Sequence, residues 1–230
     1  MKVKKRKITR KELKEDSFTK FMKKLIFLWN EKKTLFIGVI VGIVVIAAGL
    51  SYFISSRRRA FNDANERLTY SIILVLNGNM QEAYNQFDFL AKEYYGTLPG
   101  IKALFYLANM DFQSGQIDKA MERFTTLTKL TKDKFIRPSS YEGLAQCYEQ
   151  KGDMNSAIEN YQKAEELFEY NAFRAEVLLN IARIYETQRK FSDAEKVYKK
   201  VLSIVKTPSL KTEALQRLKM LQGLRQVLGG

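Results

Sequence analysis

One long apolar run dominates the hydrophobic pattern of this sequence. Residues 34–54 form a stretch of 21 residues without a charge or a proline. As a helix with a rise of about 1.5 Å per residue it measures about 31 Å, close to the hydrocarbon thickness of a bilayer. A buried core helix normally carries a polar stripe, and a cleaved signal peptide normally has a shorter leader than the 33 residues found here. The run therefore predicts a retained transmembrane helix.

A second hydrophobic pattern precedes this run. Apolar residues recur at helical spacing between interleaved lysines, at Phe18, Phe21, Met22, Leu25, Leu28 and Trp29. This spacing predicts an amphipathic helix that begins near Asp16-Ser17 and lies on anionic lipid headgroups, up to residue 33. A plain juxtamembrane linker is the alternative. Residues 1–15 are basic and lack apolar periodicity, which predicts a solvated, disordered tail.

The rest of the chain repeats itself every 37 residues. Alanines, aromatic residues and glycines recur in step, at Ala83, Ala120, Ala157 and Ala194, at Phe87, Phe124, Tyr161 and Tyr198, and at Gly78, Gly115 and Gly152, with Arg189 in the fourth glycine position. In a helix hairpin a glycine makes the left-handed turn, a small alanine allows close helix approach and an aromatic ring fills the space between hairpins. The pattern predicts an all-α chain, with the transmembrane helix followed by an α-solenoid of about four hairpins.

The ends of the solenoid can also be placed. No glycine or proline occurs between Ser51 and Asn77, so the transmembrane helix is expected to continue into the first hairpin. After Thr207-Pro208 an apolar stripe predicts a C-terminal capping helix, with Leu210, Ala214, Leu218, Leu221, Leu224 and Leu228. The expected segments are a basic tail with its amphipathic helix at 1–33, the membrane helix at 34–54, a helical linker at 55–63 and the repeat domain with its cap at 64–230.

Charge and composition narrow the function. The net charge is +14, but residues 1–33 contribute +9 and Arg57–Arg59 a further +3. A nearly neutral repeat domain argues against nucleic-acid binding, and the basic N-terminus predicts that this end stays in the cytoplasm while the C-terminal domain lies outside. The sequence has no histidine and one cysteine, Cys147, which removes the common nucleophile and metal-ligand sets. We therefore expect a protein that is not an enzyme and carries no cofactor, metal or small-molecule substrate.

The repeats resemble tetratricopeptide repeats. The third unit shows the resemblance best, with Tyr141, Leu144, Ala145, Tyr148, Gly152, Ala157, Tyr161 and Ala164 at the family's large, small, glycine and aromatic positions. The resemblance extends over about residues 64–206, and its first unit, with Tyr70 and Ser71, is the poorest match. It implies a scaffold that binds other proteins on the concave face of its first helices.

The family pattern also places the residues of this predicted groove. They are Leu68, Ile72 and Val75 in the first unit, Phe105, Asn109 and Phe112 in the second, Glu142, Gln146 and Glu149 in the third, and Leu179, Arg183 and Glu186 in the fourth. The groove would be apolar in its first half and polar in its second, which suits an amphipathic helix or an extended apolar segment. The alternative is that the chain itself or a second subunit covers this surface.

The membrane segment resembles a second family, the YfgM-type ancillary subunit of the bacterial SecYEG translocon. The resemblance rests on the order of a basic amphipathic segment, one membrane helix and a repeat domain, and on Phe27, Asn30, Lys33 (or Lys32), Leu35, Gly38-Val39-Ile40 and Gly42. It implies a single-pass protein of the inner membrane whose helix contacts the translocon, with Gly38 and Gly42 at small-xxx-small spacing, and whose groove holds a periplasmic chaperone or an emerging chain. The alternatives are a scaffold for another envelope assembly, in division or outer-membrane biogenesis, and a membrane-tethered adaptor that faces the cytosol.

Overall fold

The structure is a computed structural model that describes the backbone of residues 10–228 and the side chains of residues 17–27, 29 and 31–224. The predicted tail lies mostly outside the described residues, as do the side chains of Leu28 and Leu228. The described chain is all-helical, with ten helices. They are α1 (Arg10–Glu31), α2 (Lys33–Leu76), α3 (Met80–Glu93), α4 (Leu98–Gln113), α5 (Ile117–Leu130), α6 (Ile136–Gln150), α7 (Met154–Leu167), α8 (Asn171–Thr187), α9 (Phe191–Ile204) and α10 (Pro208–Leu228).

The chain divides into two compact units, Met1–Ala60 and Phe61–Gly230. In the first unit α1 begins at Arg10, so the expected helix start at Asp16-Ser17 and the disordered character of residues 10–15 were wrong. The segment Arg-Lys-Glu-Leu-Lys-Glu consists of good helix formers, which extends the helix without any apolar period. The predicted apolar face of α1 is exposed, at Phe18, Phe21, Met22 and Trp29.

The apolar run lies in α2, which continues without interruption to Leu76, as the sequence predicted. Within the described part of the chain, α2 is the one helix that is long and apolar enough to cross a membrane. Its most apolar 18-residue window has a mean hydropathy of 2.6, and none of that window is buried in the protein. Val41 and Ile46, for example, are 54% and 64% exposed.

The second unit is a solenoid of four helix hairpins. Its first helices, here called the A helices, are residues 61–76 of α2, then α4, α6 and α8; its second helices, the B helices, are α3, α5, α7 and α9. The two ends of each hairpin form two edges of the solenoid. The turn edge holds the A-to-B turns at 77–79, 114–116, 151–153 and 188–190, and the loop edge holds the B-to-A loops at 94–97, 131–135, 168–170 and 205–207.

The turns confirm the glycine pattern. Gly78, Gly115 and Gly152 have φ values of 80°, 76° and 79°, and Arg189 has a φ of 57° at the fourth turn. Each turn carries the same pair of backbone hydrogen bonds; at the fourth, Lys190 N–H donates to the Tyr185 carbonyl and Arg189 N–H to the Glu186 carbonyl. This is the Schellman arrangement, which closes the end of each A helix.

The repeated alanines and aromatic residues form the core. All four alanines are completely buried, and the four aromatic side chains are at most 2% exposed. The aromatic ring of one hairpin also meets the A helix of the next. Phe87 stacks on Tyr106 with ring centroids 4.8 Å apart, and Phe124 lies where a Cβ added to Gly143 would be only 2.4 Å from the ring. The predicted cap is present, because α10 buries Ala214 and Leu221 in the core of the last hairpin.

Candidate protein-binding groove

The first unit contributes apolar side chains to the predicted groove. Ile72 and Val75 are partly buried and pack against the core that includes Leu90 and Leu107. Leu68 was also expected to line the groove, but it is only 4% exposed and belongs to that core itself. Its side chain therefore supports the hairpin and offers no surface to a partner.

The second unit continues this apolar surface. Phe105 and Phe112 are partly buried, and Phe105 meets the core residue Phe124 edge-on with centroids 6.3 Å apart. Asn109 lies between them on α4, and its side-chain amide donates a 2.7 Å hydrogen bond to the Phe105 carbonyl. Because that amide still has a second N–H and an oxygen, it can bond a backbone group that enters the groove.

In the third unit the groove becomes charged, and its carboxylate at Glu149 is already paired. Glu149 accepts hydrogen bonds from the Arg183 guanidinium at 2.7 and 2.8 Å and from the Tyr161 hydroxyl at 2.6 Å. Burial and the bond to Glu149 raise the pKa of the Tyr161 phenol. The pair joins α6 to α8, so Glu149 and Arg183 bind each other across adjacent hairpins.

The same arrangement recurs one unit later. Glu186 accepts a 2.9 Å hydrogen bond from the Tyr198 hydroxyl, and Arg217 of the capping helix lies 3.7 Å from its second carboxylate oxygen. Burial and the bond to Glu186 raise the pKa of Tyr198 as well. In the second half of the predicted groove, the carboxylates of Glu149 and Glu186 are therefore bound by the protein's own basic residues.

A 12-residue spacing in the sequence underlies this pairing and was not among the predicted features. Each groove residue at the end of an A helix precedes the aromatic residue of its B helix by 12 positions: Val75 and Phe87, Phe112 and Phe124, Glu149 and Tyr161, Glu186 and Tyr198. An apolar groove residue accompanies phenylalanine, and a glutamate accompanies tyrosine. The phenolic hydroxyl is therefore the partner of the carboxylate.

Glu142 is the groove carboxyl that the fold leaves without a cation. It is partly buried on α6, with Gln146 one turn further along the helix and also partly buried. Burial, and then the charge of Glu176, raise the pKa of Glu142 from 4.5 to about 7. The protonated form of its side chain is therefore favoured by the fold, and in that form it can donate a hydrogen bond as well as accept one.

A further polar cluster lies outside the groove and was not anticipated. Asp111 is completely buried; one of its oxygens accepts a 3.0 Å hydrogen bond from the Tyr84 hydroxyl, and the other lies 3.1 Å from Nε of Arg123. Arg123 also donates to the Tyr84 hydroxyl at 3.1 Å and lies over its ring. Nothing in the repeat pattern marks Asp111, because the other units have leucine or tyrosine at the equivalent positions 74, 148 and 185.

The remaining candidate residues lie as follows. Gly38 and Gly42 face open space, since a Cβ added to either would meet no atom within 4 Å. Cys147 is buried, and burial raises the pKa of its thiol to about 11, so it is a core residue and not a reactive thiol. Among the described residues there is no group of three histidine, cysteine, aspartate or glutamate side chains that could hold a metal ion.

Comparison with known proteins agrees with this architecture. A family model of the tetratricopeptide repeat matches residues 137–207. No curated protein sequence is significantly similar to the chain.

Among solved structures, the kinesin light chain TPR-like repeats of Podosopora anserina superpose with a TM-score of 0.56 at 18% identity, over 70% of this chain and 88% of that one. The MamA protein superposes with a TM-score of 0.52 at 16% identity, over 71% of this chain and 92% of that one. A tetratricopeptide repeat protein of Parabacteroides merdae superposes with a TM-score of 0.57 at 16% identity, over 71% of this chain and 61% of that one. The solenoid therefore has the fold of tetratricopeptide-repeat proteins, and its repeats indicate a scaffold for protein–protein interaction.

Proposed function

We propose that this protein is a single-pass membrane scaffold whose solenoid holds a protein partner beside a translocon. The observation that carries the membrane part is the uncovered apolar run of α2, of which no residue in the most apolar window is buried. Soluble monomers rarely expose a contiguous apolar patch of more than a few hundred Å². A lipid environment accounts for this surface, because a helix satisfies its own backbone hydrogen bonds there.

The proposed orientation places the N-terminus in the cytoplasm and the solenoid outside, in a bacterial inner membrane. It rests on the basic residues before the apolar run, among them Lys20, Lys23, Lys24, Lys32 and Lys33. The exposed apolar face of α1, with lysines between its apolar residues, suits binding to anionic headgroups on the cytoplasmic side.

The groove is the proposed binding site. Ile72, Val75, Phe105 and Phe112 offer apolar contacts, and Asn109, Glu142 and Gln146 supply polar groups beside them. This combination fits an amphipathic helix or an extended apolar segment, such as part of a chaperone or of an emerging chain. Since Glu149, Arg183 and Glu186 bind within the protein, they shape the polar end of the groove and contribute little attraction of their own. Anchoring in the membrane raises the effective concentration of the partner, so a weak groove is sufficient.

The resemblance of the membrane segment to the YfgM family supports the translocon as the membrane partner. Gly38 and Gly42 leave a shallow strip along α2 on which another helix could pack closely.

Photo-crosslinking in native membranes tests the proposal. A photoreactive residue would replace Phe105 or Phe112 in the groove and Val41 in the membrane helix, with Glu122, exposed on α5, as the matched control on the opposite face. We expect a translocon subunit at position 41, a chaperone or nascent chain at positions 105 and 112, and neither at position 122. A different envelope complex at position 41 would refute the translocon role, and crosslinks at 105 and 112 only within the chain would refute an open groove.

The orientation is tested separately with a membrane-impermeant maleimide on intact cells. Buried Cys147 gives a low background, so single cysteines at Lys24 and Gln113, both exposed, can be compared. We expect labelling at position 113 and none at 24 until the membrane is permeabilised. The opposite result would indicate an adaptor that faces the cytosol.

A further inference from the structure

Between residues 94 and 206 the exposed hydrophobic side chains are concentrated along one edge of the solenoid, whereas in the first hairpin Leu76 and Met80, beside the first A-to-B turn, are exposed as well. In this range, all of which the structure describes, the exposed large hydrophobic side chains are Tyr95, Leu98, Phe135, Leu167 and Tyr170. All five lie in the B-to-A loops or at the helix ends beside them. The turns at the opposite edge in this range are polar, with Ser-Gly-Gln at 114–116, Lys-Gly-Asp at 151–153 and Gln-Arg-Lys at 188–190.

Four aromatic rings form a continuous cluster on this loop edge. Phe173 lies at the centre, with ring centroids 5.3 Å from Phe168, 5.5 Å from Phe135 and 6.2 Å from Tyr170. Phe168 is buried, whereas Phe135 and Tyr170 are 49% and 71% exposed. The inner rings contact the outer two, so the four side chains form one aromatic surface that is partly exposed.

The charges at this edge nearly cancel. Lys134 pairs with Glu169 at 2.6 Å, which joins the second and third B-to-A loops. Asp133 caps α6 by accepting hydrogen bonds from the backbone N–H groups of Phe135 and Ile136 at 2.9 and 2.8 Å. Lys132 and Lys206 are exposed. Exposed tyrosine and phenylalanine rings with a few lysines are the composition that proteins place at the headgroup level of a bilayer.

The chain enters the solenoid at the same edge. The first A helix starts there, since the hydroxyl of Tyr94 in the first B-to-A loop donates a 2.8 Å hydrogen bond to Asp63. Phe61, which is 44% exposed, is only seven residues beyond Ile54, the last residue of the apolar run. Whatever the conformation of that connection, seven residues span at most about 25 Å. The tether therefore keeps this edge at high effective concentration near a membrane surface.

We propose that the loop edge is a lipid-binding surface, on which Phe135 and Tyr170, together with Tyr95 and Leu98, insert into the interfacial region of the bilayer. The inference rests on the proposed membrane anchoring and adds a second contact between the solenoid and the lipid. It holds the loop edge against the bilayer and leaves the concave groove free.

Spin-label depth measurements on the full chain in lipid nanodiscs test this inference. Single labels would be placed beside the aromatic residues, at Lys132→Cys and Asn171→Cys, and at the turn edge, at Gln113→Cys and Asn155→Cys, all exposed positions. A label at Val44→Cys reports whether the apolar run is inserted. Buried Cys147 remains unlabelled.

With the label at 44 deep in the bilayer, we expect an oxygen-to-nickel-chelate accessibility ratio that is several-fold higher at 132 and 171 than at 113 and 155. Phosphatidylcholine discs with and without phosphatidylglycerol should give the same depth, because the edge is nearly neutral. The double variant Phe135→Ser/Tyr170→Ser should return both loop-edge labels to water, with the helical circular dichroism unchanged.

The labels distinguish a failure of the lipid contact from a failure of the membrane anchoring. A deep label at 44 with aqueous labels at 132 and 171, or with equal depth at both edges, would overturn the inference while leaving the membrane scaffold intact; the aromatic cluster would then be a surface for a protein. An aqueous label at 44 would contradict the anchoring and, with it, the lipid contact.

Discussion

At the scale of single residues, the buried carboxyl of Glu142 makes the stability of the solenoid depend on pH. The folded chain keeps the proton up to about pH 7, whereas the unfolded chain releases it near its ordinary value of 4.5. Because the folded state binds more protons in this interval, the free energy of unfolding falls as the pH rises from about 4.5 to about 7, and the loss persists above that. Burial, not a functional partner, is the first cause of this shift.

The variant Glu142→Gln removes the titrating group and keeps the shape of the side chain. We expect it to be more stable than the parent at pH 8, by on the order of 2 kcal/mol, and nearly equal to it at pH 4. Chemical unfolding followed by circular dichroism at several pH values measures the difference. Glu122→Gln, which removes an exposed carboxyl on α5, controls for the change in net charge. A parallel pH profile of parent and Glu142→Gln would contradict this account.

Arg189 is a second residue that lowers the stability of the fold, in this case through its backbone conformation. It has a φ of 57° where the other three turns have glycine, and a side chain destabilises this left-handed conformation by about 1 kcal/mol. Arg189→Gly should therefore raise the free energy of unfolding by about that amount. The matched control is Gly152→Ala, whose added Cβ meets no atom within 4 Å and which tests the backbone conformation alone. It should lower stability by about 1 kcal/mol, and a neutral result in both variants would show that the turn is not strained.

At the scale of elements, the close approach of α6 to the preceding hairpin depends on the absence of a side chain at Gly143. A Cβ there would lie 2.4 Å from the Phe124 ring, and that ring is 1% exposed and cannot swing into solvent. Although alanine favours a helix over glycine by up to about 1 kcal/mol, we expect Gly143→Ala to lower stability by about 1–3 kcal/mol.

Thermal unfolding of Gly143→Ala and of Gly223→Ala separates the two effects. Gly223 also lies inside a helix, and nothing is within 4 Å of its added Cβ, so that variant should gain the helix propensity alone. A stabilised Gly143→Ala would mean that α6 shifts easily away from α5.

The repeat made the hairpins predictable, because period, turn glycine, alanine and aromatic residue all follow from local sequence and recur in each unit. The start of α1 was predicted too late, because Asp16 and Ser17 are typical N-cap residues and the good helix formers before them have no apolar period.

The groove was predictable only as a set of positions. Whether a position is open depends on the neighbouring hairpin, which buries Leu68 and pairs Glu149 with Arg183 34 residues away. The Asp111 cluster was hidden for the same reason, since Tyr84 and Arg123 come from two different hairpins.

At the scale of the whole molecule, the proposed membrane helix, the predicted groove and the capping helix differ in how far their apolar side chains are covered by the rest of the protein. The run in α2 is uncovered, the residues of the predicted groove in the first two units are buried or partly buried, and α10 covers the last hairpin. In a solenoid each hairpin contacts mainly its neighbours, so stability is a sum of local terms and a terminal defect stays local. A destabilising substitution in the capping helix therefore tests how cooperatively the hairpins of the solenoid unfold.

Leu221 of α10 is 1% exposed and packs in the core of the last hairpin, whereas Leu224 on the same helix is 40% exposed. Replacing a buried leucine by alanine costs about 2–5 kcal/mol, because contacts are lost and a cavity remains. We expect Leu221→Ala to accelerate amide hydrogen exchange in α8, α9 and α10, to leave α3, α4 and α5 protected, and Leu224→Ala to change little. An equal loss of protection along all the hairpins would contradict nearest-neighbour stability and would mean that the repeats unfold as a single unit.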